Sequence, residues 1–314
     1  MSSACTCYLI HTHQNPTQVL RLVAAIVRLS TSCYVIVSHD AKGAHLPIEQ
    51  LESLGPVHVQ TVKGGRGSFA HIQAYLTAVR WLQNKRISFD WLINMSGQDY
   101  PLSPLADLES RLARSGVDGF IEHFAVFSPN SPWGLYVGKK RYLYHYVRFD
   151  RLDRAVKPVL TCAMPINRCQ PLVRIETQLG MQIGVRARSP FGPGWECYGG
   201  SAWSALSASC VAYIEEYSRT HVSLVDYFRR TLSPDESLFQ TVLVNSGLFR
   251  LDNQSLHFTD FSTGRHSGRP RVLTRADLVT ILASGKAFAR KFDATSDAAV
   301  LDELDVSLGL RSSP

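Results

Sequence analysis

A chain of 314 residues with 45% hydrophobic and 19% charged side chains is long enough to bury a large core, in one domain or two intimate ones. No apolar run approaches the roughly 18 residues of a membrane span, and the opening Met-Ser-Ser-Ala-Cys-Thr-Cys has no charged leader, so a cytoplasmic protein without an integral membrane segment is expected. The net charge of +7 is spread along the chain without basic runs or interleaved aromatics, which argues against a nucleic-acid groove and is satisfied by a small anionic ligand.

The first third alternates strand and helix. Tyr8-Leu-Ile-His-Thr-His reads as a strand, and Val19, Leu22, Val23, Ile26 and Val27 give residues 16–29 a helical stripe. Cys33-Tyr-Val-Ile-Val is a second strand and residues 57–62 a third. Ser68 opens a helix through residues 78–82, and Asp90-Trp-Leu-Ile-Asn-Met carries a fourth strand. This βαβαβ order predicts an α/β fold with a Rossmann-like, mainly parallel sheet flanked by helices, whose ligands sit beyond the carboxyl ends of the strands. The residues there are His11 and His13, Ser38-His39-Asp40, Lys63-Gly-Gly-Arg-Gly-Ser68, and Ser96-Gly-Gln-Asp-Tyr-Pro-Leu102. Asp40 suits a ribose or uracil, although loop aspartates also cap helices. The glycines of residues 64–67 would let a phosphate approach the helix start. One of His11 and His13 is expected in the core and the other at the site. Asp99 either contacts ligand or serves its own proline turn.

The seven cysteines are odd in number and mostly sit in apolar surroundings, so reduced buried thiols are expected; Cys5 and Cys7 have no partner cluster for zinc. After about residue 118 the pattern is less regular. Lys139-Lys140-Arg141-Tyr142 opens an aromatic and basic run through Tyr144, Tyr146 and Arg148, either a solvated face or a surface for stacking sugar rings. Residues 198–207 read as a close backbone approach followed by a strand, and residues 211–217 as a helix.

Pro234-Asp-Glu-Ser-Leu-Phe-Gln-Thr puts two adjacent carboxylates at the mouth of an apolar helix. Pro234 fits the first turn, and Ser233 or Asp235 is expected to accept hydrogen bonds from its free amides. Glu236 is then left to face something else, as a general base would. Downstream, Arg265, His266, Arg269 and Arg271 form a basic loop before a helix over residues 274–284, and Arg290-Lys291 is flanked by Phe288 and Phe292. If that segment folds over the sheet edge, Lys291 and one arginine suit a diphosphate.

Five of these segments occur in the order seen in the core-2/I-branching enzymes. They are Tyr8-Leu-Ile-His-Thr-His with Ser38-His-Asp, Trp91-Leu-Ile-Asn-Met-Ser-Gly-Gln-Asp-Tyr-Pro-Leu, Gly200-Ser-Ala-Trp, Pro234-Asp-Glu-Ser-Leu-Phe-Gln-Thr-Val-Leu and Phe288-Ala-Arg-Lys-Phe-Asp. The chain thus resembles glycosyltransferase family 14, which includes β-1,6-N-acetylglucosaminyltransferases and peptide O-xylosyltransferases, over about residues 8–305. The resemblance implies a GT-A type fold in a single catalytic domain over residues 1–314, with a nucleotide-binding half to about 118 and an acceptor-binding and catalytic half beyond it. It implies an inverting transfer from a UDP-sugar to an acceptor hydroxyl, with Glu236 as base. Donor contacts carry over to His13, Asp40, Asp99, Arg290, Lys291 and either Arg269 or Arg271. Acceptor contacts carry over to Glu122, Lys140, Arg141, Trp203 and Phe261. N-acetylglucosamine is the preferred donor sugar and xylose the alternative; the acceptor is a carbohydrate, glycoside or small molecule. Without the signal anchor and bridged luminal domain of eukaryotic relatives, the chain looks like a compact bacterial-type member.

GT-A enzymes usually hold a divalent ion with an Asp-x-Asp pair, and no two aspartates of this chain stand two positions apart. No metal cofactor is therefore expected, Lys and Arg charges doing the electrostatic work instead. Two readings of other classes are a non-catalytic sugar-binding scaffold and a metal-dependent nucleotide hydrolase built on His11, His13, Asp40 and Asp99. Only the hydrolase would fail on chelation.

Overall fold

The computed structural model describes residues 5–149, 153–177, 179–262 and 269–312. Its central sheet has seven strands. Four of them, β1 (Thr6–Thr12), β2 (Cys33–Asp40), β3 (Val57–Val62) and β4 (Trp91–Ser96), run parallel in the order β3-β2-β1-β4. The sheet continues through β5 (Gly119–Phe120), β6 (Ala205–Ser207) and β7 (Leu251–Asp252). Strand β6 lies antiparallel between β4 and β5, and β7 closes the edge parallel to β5.

The near-continuous apolar strands follow from burial on both faces. Successive side chains of β1 alternate, so Tyr8 and Ile10 enter one core cluster while Cys7 and Leu9 enter the other. Val35 and Val37 against Ile36, and Ile93 and Met95 against Leu92, repeat the division. Helix Pro16–Leu29 covers the first face with Val19, Leu22, Val23 and Ile26, its proline at the start where no amide is needed. Helices Ala70–Asn84, Ala208–Thr220 and Leu238–Ser246 cover the second. This is the expected α/β architecture with a mainly parallel sheet flanked by helices.

Two smaller sheets shape the carboxyl edge. Phe288–Arg290 runs between Asp99–Pro101 and His257–Thr259, which sets Arg290 opposite Asp99. Phe288 and Phe292 are fully buried and anchor that strand, so Lys291 emerges directly from it. An antiparallel sheet of Tyr144–Arg148, Gln182–Arg186 and Val173–Glu176 stands beside helix Gly134–Tyr142.

Local expectations differ from the structure in a few places. The helix expected over residues 274–284 begins as a 3-10 turn, Arg275–Asp277, because Thr274 and Asp277 close a capping box around it; the α-helix is Leu278–Ala283. All seven cysteines are free; Cys7, Cys197 and Cys210 are buried, but Cys162 and Cys169 are exposed rather than in apolar surroundings. Arg265 and His266 lie outside the described residues. Among those that are described, no helix is long and apolar enough to cross a membrane.

Candidate active site

The Pro234-Asp-Glu motif is not a helix cap. Residues Pro234–Glu236 form a 3-10 turn, and the α-helix starts only at Leu238. Ser233 is left-handed (φ 48°) and its side chain caps nothing. Its amide donates to the Gly67 carbonyl at 3.0 Å, and Tyr142 Oη donates to its carbonyl at 2.9 Å. The turn is thus tied to the glycine-rich loop on one side and to helix Gly134–Tyr142 on the other. The expectation that Asp235 caps the helix is overturned: its Oδ2 accepts from His71 Nδ1 at 3.0 Å, because the tight turn points it across to the start of helix Ala70–Asn84.

Gly200 fixes the other side of the turn. Its amide donates to the Glu236 carbonyl at 2.9 Å, while a Cβ at Gly200 would lie 1.8 Å from the Glu122 carbonyl oxygen. Only glycine lets the 198–201 segment pass between the two. Ser237 Oγ and Gln240 Nε2 donate to the Tyr198 and Ser201 carbonyls, both at 2.7 Å, securing the helix to the same segment.

Glu236 itself is 33% exposed and pairs through Oε2 with Arg141, whose guanidinium lies 4.3 Å over the Trp133 ring. Burial raises the proton affinity of Glu236, Arg141 opposes that and Asp235 adds to it, leaving the carboxyl above its ordinary range. Burial works against the Arg141 charge, and Glu236 more than restores it. The expected acceptor-side residues divide. Arg141 reaches Glu236, whereas Lys140 pairs with buried Glu176 on the small sheet. Glu122 backs Gly200 through its carbonyl. Phe261 stands 44% exposed beyond the His257–Thr259 strand.

On the sheet side, Asp99 is fully buried and accepts from Ser96 N (2.8 Å), Ser96 Oγ (2.6 Å) and Arg290 Nε (3.0 Å), with His257 Nε2 at 3.3 Å. Burial alone would push its proton affinity up; Arg290, His257 and Ser96 outweigh burial and hold the carboxyl below its usual value. Asp99 therefore reaches the site through Arg290, whose guanidinium stacks 4.5 Å from the Trp203 ring. Trp203 in turn stands edge-on to His71 at 5.4 Å, and His71 to His11 at 3.9 Å. His11, bonded through Nε2 to Asn94 Oδ1 at 2.8 Å, is held neutral chiefly by burial and then by His71. It is only partly exposed, and His13 is the exposed one, just past the end of β1.

Four cations gather beside this floor. Lys291 has its proton affinity lowered by burial, then by Arg269 and Arg290, with Arg66 adding and Asp293 opposing. Arg66 is lowered by burial and by Arg269, while Glu236 opposes. Mutual repulsion of this kind would be relieved by a bound anion. Arg271 differs: it is bidentate to both Asp260 and Asp277, at 2.7–3.1 Å, and so anchors the segment. Of the two arginines left open by the sequence, Arg269 is the one facing Lys291. Asp40, at the end of β2, accepts from the Gly64 and Lys42 amides at 3.1 and 3.0 Å, and a Cβ at Gly64 would meet its carboxylate at 2.1 Å. Among the described residues no three His, Cys, Asp or Glu side chains stand close enough to hold a metal ion.

Sequence reasoning did not select His71, Asp235 in its actual role, or Arg66. Arg66 lies inside the glycine-rich segment already marked for phosphate, and His71 lies in the first turn of the helix it precedes; position at the strand edge was the available signal.

Residues 178–282, which contain the Pro-Asp-Glu turn, match the family model "Branch", core-2/I-branching enzyme. Over that segment the chain is similar to the core-2/I-branching enzymes. Two similar proteins are the beta-glucuronosyltransferases GlcAT14A and GlcAT14B of Arabidopsis thaliana. They are 28% identical over 237 residues and 27% over 228, covering 74% and 71% of this chain. The matches take in 46% and 45% of those proteins, so the chain spans about half the length of the curated relatives it matches. Among solved structures, 4-diphosphocytidyl-2C-methyl-D-erythritol synthase from Anaerococcus prevotii aligns over 90% of this chain and 97% of its own, at 8% identity and a TM-score of 0.38.

Proposed function

We propose that this chain is a core-2/I-branching family member and an inverting, metal-independent glycosyltransferase that moves a sugar from a UDP-sugar to an acceptor hydroxyl, with Glu236 as the general base. The observation that carries the reading is Glu236, partly exposed on its turn and above its ordinary proton affinity, facing the Arg66 and Arg290 cations. In the reaction the acceptor oxygen forms a bond to the anomeric carbon while Glu236 takes its proton. The bond from that carbon to the diphosphate oxygen breaks, and its electron pair leaves with UDP on the opposite face. Lys291, Arg290 and Arg269 neutralise the leaving diphosphate with fixed charges, the work a divalent ion does elsewhere. His13 and Asp40, at the ends of β1 and β2, take the nucleoside; Asp99 acts by holding Arg290. Arg141, paired with Glu236, takes the acceptor side.

For the donor sugar we favour glucuronic acid over the N-acetylglucosamine or xylose expected from the sequence. The two relatives are named glucuronosyltransferases, and Arg290, stacked on Trp203 and fixed by Asp99, offers a uronate carboxylate a preset cation. The test is UDP release from UDP-glucuronate, UDP-N-acetylglucosamine and UDP-xylose, each with a panel of glycoside acceptors, with and without EDTA. Turnover of one donor, unaffected by chelation, is expected. Turnover lost on chelation would refute the metal-free mechanism, and no transfer from any donor would refute the enzyme.

A further inference from the structure

We infer that Arg141 makes the site discriminate between an acceptor hydroxyl and water, by holding the base until an acceptor draws the arginine away. The inference rests on the reading of Glu236 as base. Arg141 sits on Glu236 Oε2, and among the described residues it pairs with no other carboxylate. Its neighbour on the same helix, Lys140, is instead satisfied by Glu176 and stays clear of the base. The Trp133 face under Arg141 gives the guanidinium a resting place that does not depend on Glu236, so it can turn without being left unpartnered.

This arrangement has a chemical consequence. An oxygen whose lone pair receives an arginine N–H cannot take a proton there, and the cation lowers the basicity of the whole carboxylate. With donor bound and no acceptor, water is the nucleophile at hand. Its oxygen would bond to the anomeric carbon, its proton would pass to the base, and the carbon–oxygen bond to diphosphate would break with the electron pair leaving on UDP. The product is free sugar and a wasted donor. Arg141 suppresses that step by occupying the base. A sugar acceptor brings hydroxyl and ring oxygens that accept from the guanidinium, so Arg141 swings from the carboxylate to the acceptor over Trp133. Glu236 is then unmasked, and the burial that favours its protonation is opposed only by the remaining cations such as Arg290. Arg290 cannot substitute, because its guanidinium is held by Asp99 and lies over Trp203.

The test compares the unaltered chain with Arg141→Gln and Arg141→Lys. UDP-glucuronate and UDP-N-acetylglucosamine are each followed by UDP release without acceptor and by product formation with p-nitrophenyl β-galactoside and related glycosides. In Arg141→Gln the ratio of hydrolysis to transfer is expected to rise about tenfold, the effect of one unit in the basicity of the catalytic carboxylate. The acid limb of its hydrolysis profile should move to higher pH, because removing a cation raises the proton affinity of Glu236. Arg141→Lys keeps the charge and should restore part of the discrimination. Hydrolysis and transfer falling in parallel, with ratio and pH limb unchanged in both variants, would overturn the inference and leave Arg141 a structural support. UDP release by neither donor from the unaltered chain, with acceptor as well as without, would count against the glycosyltransferase reading itself, and the inference would fall with it.

Discussion

Replacing Asp99 by asparagine tests how the donor side is built. The aspartate is fully buried and receives three donors, the Ser96 amide and hydroxyl and Arg290 Nε, with His257 Nε2 beside it at 3.3 Å. Asparagine is the same size but has one accepting oxygen, so its amide group must face either Ser96 N or Arg290, donor against donor. Loss of a hydrogen bond to a charged group costs about 1.5–3 kcal/mol. Leaving Arg290, only 14% exposed, without its counter-charge brings the total to about 3–5 kcal/mol. The sign with pH follows from the lowered proton affinity of Asp99 in the fold. Its stabilisation is fully present above the unfolded carboxyl value of about 3.9 and is lost as pH falls through the lower folded value. Urea unfolding of both proteins should therefore show the full difference at neutral pH and a narrowing one in strong acid. UDP affinity by calorimetry should fall as well, since Arg290 is no longer fixed over Trp203. A difference within about 0.5 kcal/mol at neutral pH, the scale of an ordinary surface substitution, would refute the reasoning.

Three further outcomes are expected. Lys291→Ala should weaken UDP binding about tenfold or more, as loss of a charge-assisted contact to diphosphate would. Because its neighbours lower its proton affinity, UDP binding by the unaltered chain should weaken with rising pH before an ordinary lysine would titrate, and Lys291→Arg should flatten that decline. Calorimetry should find UDP affinity hurt more by Arg269→Ala than by Arg271→Ala, because Arg271 is spent on Asp260 and Asp277. Gly200→Ala should cost about 1–3 kcal/mol in thermal or urea unfolding and displace Glu236, reducing transfer out of proportion to the stability lost.

The sheet was legible because both its faces are covered. Strands such as β1 and β4 must then be apolar on consecutive residues, and the helices between them carry one clear stripe. The polar clusters at the strand ends were legible for the same reason, since the fold class dictates where the edge lies. The pairings within the site were not. Arg141 and Glu236 are separated by 95 positions, His71 and Asp235 by 164, and nothing local to either partner encodes the other. Asp235 looked like a cap because a Ser-Pro-Asp-Glu sequence usually starts a helix; the left-handed Ser233 diverts the chain into a 3-10 turn first. Arg271 could not be separated from Arg269, because its two carboxylate partners come from an irregular loop and a capping box on either side of it.

The role of Glu236 is tested most directly by Glu236→Gln, which keeps the shape of the side chain and removes its ability to take a proton. Transfer from the working donor should fall by about 10²- to 10⁴-fold, while UDP affinity measured by calorimetry stays as it was. Transfer at an undiminished rate in that variant would contradict the assignment of the base.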